Sequence, residues 1–199
     1  MRQEIANLKK RIILEIAARH FDAHGFAATQ INAIAKEAEV SIGTIYGLFE
    51  SKEGLFQAHV LREMEKAVET MRTMIAQSDA SPKEHLKAAL TFYFTTIEMK
   101  MTSFQELLLS SPVRLGAQCH TDESRENGNV FLEIYHLFAV EFEKLDAITP
   151  LRHKDYLQHA INFRNVAAGY IERWVLLKDI TLSQKIDECL ELFLEGVIQ

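Results

Sequence analysis

The sequence predicts an all-α fold, with an N-terminal three-helix head of helix-turn-helix proportions and a helical-bundle body, about nine helices in all. Three observations carry this reading. Apolar residues recur at three- and four-residue spacing along most of the chain, with no useful run of strand-like alternation. Pro and Gly are scarce, three and eight of 199 residues, which leaves room for long helices. Capping signatures separate one periodic segment from the next.

The first helix carries Ile12, Ile13, Ile16, Ala17, His20 and Phe21 at helical spacing, and Gly25 is its natural stop. Thr29 is read as the N-cap of a short helix with Ile31, Ile34, Ala35 and Ala38 on one face. Ser41 caps a second short helix to Leu48. Ser51 caps a long one with Leu55, Phe56, Val60, Met64, Val68, Met71 and Ile75 on its inward stripe. Ser81-Pro82-Lys83-Glu84 is a capping box with Pro at the first helical position, and Leu86, Leu90, Tyr93, Phe94 and Ile97 follow it. A short helix is expected at Phe104–Ser110, a loop at Thr121–Asn129 and a helix at Phe131–Leu145. Thr149-Pro150 is expected to open a helix to about Lys178. A second capping box, Thr181 to Gln184, is expected to open the last helix.

Composition narrows the function. No apolar run is long enough to cross a membrane, and the N-terminus lacks the apolar segment of a secretion signal. Cys119 and Cys189 have no metal or redox spacing, which reads as a reducing cytoplasm. Net charge is −6, which argues against a strong electrostatic hold on nucleic acid. The charge is uneven, however. Residues 1–60 hold seven cations and seven anions, and residues 61–199 hold 15 against 21. Any hold on DNA must then rest on a few placed groups and on dimerisation.

The pair Thr29–Ala38 and Ser41–Leu48 has the proportions of a helix-turn-helix. Small residues at the start of the second helix, Gly43 and Thr44, suit entry into a major groove. Helix N-termini at Thr29 and Ser41 favour a phosphate. Tyr46 offers a hydroxyl, and Lys52 a point charge in the next first turn.

These residues carry a resemblance. The stretch Ala17–Thr29, then Ile34–Tyr46, then Phe49–Leu55 resembles the DNA-binding signature of the TetR family over about 45 residues. The remaining residues match it only in length and helical layout. Two positions depart from the family pattern. Glu39 stands where Gly is usual in the turn, and Gly47-Leu48 replaces an aromatic or His pair. Glu39 is therefore expected in a left-handed conformation at a cost of about 1 kcal/mol. The resemblance implies that Gln30, Ile42, Gly43 and Thr44 lie nearest base edges. It implies that Thr29, Ser41, Tyr46 and Lys52 hold phosphates. It also implies a homodimer on a palindromic operator.

Aromatic residues concentrate after residue 90 and suit an apolar cavity for a small molecule. Tyr93, Phe104, Leu107, Tyr170 and Trp174 are the ligand-binding candidates, with Arg114, Arg173 or His120 for an anionic or polar group. The run Gly169-Tyr170-Ile171-Glu172-Arg173-Trp174 is similar to what fatty-acid-responsive members of the family carry. The helices expected at 150–178 and 182–198 offer Ile161, Val166, Ile186, Cys189, Leu190, Phe193, Leu194 and Val197 to a four-helix dimer interface. No catalytic residues, metal ligands or cofactor motif are indicated. His20 and His24 lack a third ligand, and adjacent Cys119-His120 lacks an orienting partner.

The expectation is a ligand-responsive DNA-binding regulator, a repressor released by a hydrophobic effector. Residues 1–48 form its DNA-binding domain and residues 49–199 its effector-binding and dimerisation domain. The alternatives are a DNA-binding or adaptor protein without an effector, and a helical enzyme.

Overall fold

The computed structural model describes residues 2–99 and 130–199. Among them are eight α-helices: α1 (Arg2–Ala28), α2 (Ile31–Glu37), α3 (Ile42–Phe49), α4 (Lys52–Ala76), α5 (Pro82–Met99), α6 (Val130–Asp146), α7 (Tyr156–Leu177) and α8 (Ile186–Val197). A 3-10 turn spans Leu182–Gln184. The single β contact among these residues is an isolated bridge between Leu151 and Ile198. The expected helix at Phe104–Ser110 and loop at Thr121–Asn129 lie outside the described residues, as do Phe104, Leu107, Arg114, Cys119 and His120.

The chain forms two compact units, and the boundary falls within α4, after Lys66. The first unit therefore reaches past residue 48. Its core explains why. Ile13, Ile16, Ala17 and Phe21 of α1, Ile31, Ile34 and Ala35 of α2, Ile45 and Phe49 of α3, and Leu55 and Phe56 of α4 pack into one cluster. Phe21 meets Phe56 edge-on with ring centres 4.8 Å apart. Phe26 lies 5.0 Å from Phe56. Ile12, which shares the helical spacing of these residues, is exposed.

Gly25 does stop the regular part of α1. Its backbone (φ 76°, ψ 173°) lies where only Gly is comfortable. Thr29 does not cap α2. Its side chain is buried, and its hydroxyl donates to the carbonyl of Gly25 at 2.6 Å and lies 3.1 Å from that of His20. The kink at Gly25 frees carbonyls inside the protein, and Thr29 satisfies them. Gln30 holds the N-cap position, without a side-chain bond.

The second unit holds α5 to α8 and the later residues of α4, of which Val68, Met71 and Ile75 are buried. The capping box at Ser81 forms as read: Ser81 N–H donates to Glu84 at 2.8 Å and Glu84 N–H to the Ser81 hydroxyl at 3.3 Å. The helix after Pro150 starts late, at Tyr156. Residues 150–152 pair with the C-terminal end instead, through Arg152 N–H to Val197 O at 2.8 Å and Gln199 N–H to Pro150 O at 3.1 Å. Asp155 then caps α7 by accepting from Gln158 N–H at 3.0 Å. Thr181 makes no side-chain cap, and the following residues form the 3-10 turn before α8.

Phe142, Phe163 and Phe193 form the aromatic centre of this unit, with ring centres 5.3 to 5.9 Å apart. Beside it lies a buried carboxylate. Glu141 accepts from His85 Nδ1 at 2.7 Å and from Lys144 Nζ at 2.7 Å. Ile186, Cys189, Leu190, Phe193 and Leu194, expected at a dimer interface, close this unit's own core. Burial pushes the Cys189 thiol up to about 12, which leaves it an unreactive apolar filler. Leu176, Leu177 and Leu192 are the apolar residues that α7 and α8 leave well exposed.

The close approach at the corner between α3 and α4 yields a test. A β-carbon on Gly54 would sit 2.1 Å from the Phe49 carbonyl oxygen. Gly54→Ala is expected to destabilise the protein by about 3 kcal/mol, read as a lower urea midpoint with unchanged slope.

Candidate nucleic-acid interface

The turn joining α2 to α3 is fixed by backbone bonds. Val40 N–H donates to Ala35 O at 3.0 Å and Glu39 N–H to Lys36 O at 3.3 Å. This is the Schellman arrangement, which places its central residue in the left-handed region. Glu39 is that residue, at φ 53°, as the departure from Gly led one to expect. The tight turn sets α3 directly after α2, with the two packed in one core.

Ser41 caps α3 as read. Its hydroxyl oxygen accepts from Thr44 N–H at 3.0 Å and shares a hydrogen bond with the Thr44 hydroxyl at 2.9 Å. Ile45 and Phe49 anchor the helix inward. The opposite arc carries Ile42, Gly43, Tyr46 and Gly47, all exposed, with Gln30 exposed just before α2. Tyr46 is 43% exposed and Ile42 39%, unusual for large side chains on a short helix with its own buried face. The structure thus brings Gln30, Ser41, Ile42, Gly43, Thr44 and Tyr46 to the α2–α3 segment, and Thr29 alone turns inward.

α3 leaves through a second left-handed residue. Glu50 (φ 64°, ψ −46°) sits at the centre of a γ-turn, with Ser51 N–H bonded to Phe49 O at 2.7 Å. Ser51 caps α4 by accepting from Gly54 N–H at 3.0 Å. In the first turn of α4, the Lys52 ammonium donates to Ala27 O at 3.1 Å and lies 4.7 Å from the centre of the Phe26 ring. Lys52 therefore ties the end of α1 to the start of α4, and it keeps two further N–H donors.

A charged clip holds α1 on α2. Glu37 accepts from Arg19 at 2.5 Å and lies 2.8 Å from His20 Nε2. The Arg19 guanidinium, then His20, hold the Glu37 carboxyl below the usual carboxylate range.

In the second unit, Tyr93 of α5 is half-buried, and desolvation raises its phenol. Its ring lies 6.3 Å from Phe94, which lies 6.3 Å from Tyr170 of α7. Tyr170 donates to Glu188 Oε1 at 3.0 Å. Burial and that carboxylate push its phenol to about 12, so it stays a donor. Trp174, one turn on, is buried. Arg173 does not join this group. It is exposed, and Asp179 holds it through two bonds of 3.1 and 2.8 Å. The carboxylate has occupied the guanidinium expected to meet an anionic group.

The head has relatives. Residues 13–59 match the sequence model of bacterial regulatory proteins, tetR family. Over these residues the chain is similar to the TetR family. It is 43% identical over 67 residues to the uncharacterized HTH-type transcriptional regulator YhgD of Bacillus subtilis, covering 32% of this chain and 35% of that protein. It is 40% identical over 63 residues to the HTH-type transcriptional regulator UidR of Escherichia coli K12, covering 32% of each. The chain thus matches about one third of the length of these curated relatives. Both carry the name of HTH-type transcriptional regulators.

Solved structures share the fold over most of the chain's length. FadR from Bacillus subtilis in complex with stearoyl-CoA superposes with a TM-score of 0.68 at 20% identity, over 94% of this chain and 98% of that one. FadR from Thermus thermophilus in complex with lauroyl-CoA gives 0.70 at 20% identity, over 94% of each. A transcriptional regulator from Saccharomonospora viridis in complex with choline gives 0.67 at 18% identity, over 96% and 97%. Among the described residues, no helix is long and apolar enough to cross a membrane.

Two variants probe this head. Glu39→Gly is expected to raise stability by about 1 kcal/mol in urea unfolding, because the left-handed strain disappears. Glu37→Gln is expected to lower the melting temperature at neutral pH. A depressed carboxylate stabilises the fold above its ordinary value, 4.5, and loses that effect as pH falls through its folded value. The gap between wild type and variant should therefore close in acid.

Proposed function

We propose that the chain is a ligand-responsive transcriptional regulator, a repressor that binds a palindromic operator as a homodimer and is released by a hydrophobic small molecule. The observation that carries this reading is the exposed arc of α3. A capped helix of eight residues buries Ile45 and Phe49 and turns Ile42, Gly43, Tyr46 and Gly47 to solvent. A short helix of that kind, preceded by α2 in a tight turn, is what enters a major groove.

Roles follow from chemistry. Gln30, Ile42, Gly43 and Thr44 meet base edges, where Gln pairs with adenine and the Thr methyl with a thymine methyl. Ser41, Tyr46 and Lys52 meet phosphates. The Thr29 hydroxyl is left out, since it is buried on carbonyls. By role, residues 1–48 are the DNA-binding part and residues 49–199 the effector and dimerisation part. Leu176, Leu177 and Leu192, exposed on α7 and α8, supply an apolar surface for a second copy.

The effector reading rests on Tyr93 and Tyr170 beside Phe94 and on the buried Trp174 one turn further along α7, with Tyr170 as a polar donor. Long-chain acyl-CoA is the class to try first, because two of the similar structures hold stearoyl-CoA and lauroyl-CoA. An effector releases DNA only by its differential affinity for two states, typically about 1–3 kcal/mol.

The test is selection of bound duplexes from a random library by the full chain. Inverted half-sites are expected, and acyl-CoA should lower affinity for the selected duplex and raise the melting temperature of the free protein. Tyr46→Phe and Lys52→Ala should weaken binding to all sequences alike. A chain that selects no duplex would sink the reading. Selection without any response to acyl-CoA or choline would favour a binder that needs no effector.

A further inference from the structure

Lys10 of α1 has no role in the interface so far described. Its ammonium stands 5.7 Å from the centre of the Phe49 ring, and Phe49 is the last residue of α3. The helical turn of about 3.6 residues fixes where that is. On α3 the buried arc is centred on Ile45 and Phe49, and the half-buried Thr44 and Leu48 lie beyond Ile45. Phe49 borders the exposed arc on the side of Ile42 and Tyr46. A group resting on the Phe49 ring therefore stands at the edge of the face that α3 presents.

The charge of Lys10 is also uncommitted. Among the described residues, the close carboxylate pairs of this unit are Arg19 and His20 with Glu37, His59 with Asp22, and Lys66 with Glu63. None involves Lys10. An aromatic ring attracts an ammonium without neutralising it, so Phe49 restricts where the charge sits and leaves all of it for a third party. Phe26 treats Lys52 in the same way at 4.7 Å. In a head whose cations and anions balance, two ring-held lysines, one over the last residue of α3 and one in the first turn of α4, are a specific arrangement.

We propose that Lys10 is a further DNA-backbone contact, placing one positive charge beside Tyr46 from α1. This rests on the reading of the head as a DNA-binding module. It adds a phosphate contact that carries no sequence information and widens the footprint beyond the two short helices.

The experiment measures affinity against salt for the full chain on a duplex selected by wild type, and on a scrambled duplex. Each phosphate neutralised contributes about 0.9 to the slope of log affinity against log salt. Lys10→Gln should reduce the slope by about that amount for each bound protomer, on both duplexes. Lys10→Arg should keep it. Lys9→Gln, which removes an equal charge from the neighbouring exposed position, should keep it too. An unchanged slope in Lys10→Gln, even with a lowered melting temperature, would overturn the proposal and leave Lys10 as packing on Phe49. An equal fall in Lys9→Gln would also overturn it, because overall charge would then be the cause. Failure of wild type to bind any duplex would remove the parent reading itself, a result separate from both.

Discussion

The carbonyl of Phe49 lies so near the α-carbon of Gly54 that no side chain fits between them, and the presentation of α3 depends on that contact. Phe49 is core, Glu50 reverses the chain in one residue, and Ser51 caps the next helix. No linker remains in which the direction of α3 could drift. Leu55 and Phe56, one turn later, lock the start of α4 into the same cluster that holds Ile45. The exposed arc of α3 is thereby fixed to α1 and to the first turns of α4. The cost is two left-handed residues, Glu39 and Glu50, one at each end of the segment. Both are glutamates in positions that glycine would occupy without strain.

The electrostatics of the same unit follow from its balanced charge. Arg19 is engaged by Glu37, and Lys52 partly by a backbone carbonyl, so these cations first hold helices together. A module built this way has little long-range field with which to attract a polyanion. On the function proposed above, its contacts with a phosphate backbone would be short-range and defined by geometry: a capped N-terminus at Ser41, a phenol at Tyr46, and lysines held over rings. Such a surface relies on shape and on duplication by symmetry.

Much of this was legible in the sequence. The helical period located α1, α2, α4, α5 and α6, and the Ser41 cap located α3. Ser41, Ser51 and Ser81 were read as caps, and each has the bond a cap requires. Glu39 was legible as strained because a Schellman turn has one position for φ above zero. Three things were not legible. Thr29 looks like a cap in sequence, but the kink at Gly25 creates buried acceptors that only the fold reveals. Pro150 looks like a helix start, but the pairing of residues 150–152 with the C-terminal end is a contact across more than forty positions. The apolar stripe of α8 looked too wide for one core, yet Phe142 and Phe163 absorb its phenylalanine and leave only Leu192 well outside. Arg173 belongs to the same class, since nothing local announces that Asp179 will clamp it.

Gly47 has a consequence for how such a surface changes over time. A β-carbon there would meet nothing within 4 Å, and the residue lies on the exposed arc of α3. Its backbone is ordinary helix, so no conformational demand protects the glycine. Side chains of any size fit at this position without moving the core, and most of them favour the helix more than glycine does. The vacancy separates what α3 touches from what holds it in place. Changes to the surface that α3 presents are therefore reachable in single steps that leave the scaffold intact, whereas at Gly54, seven residues on, almost none are.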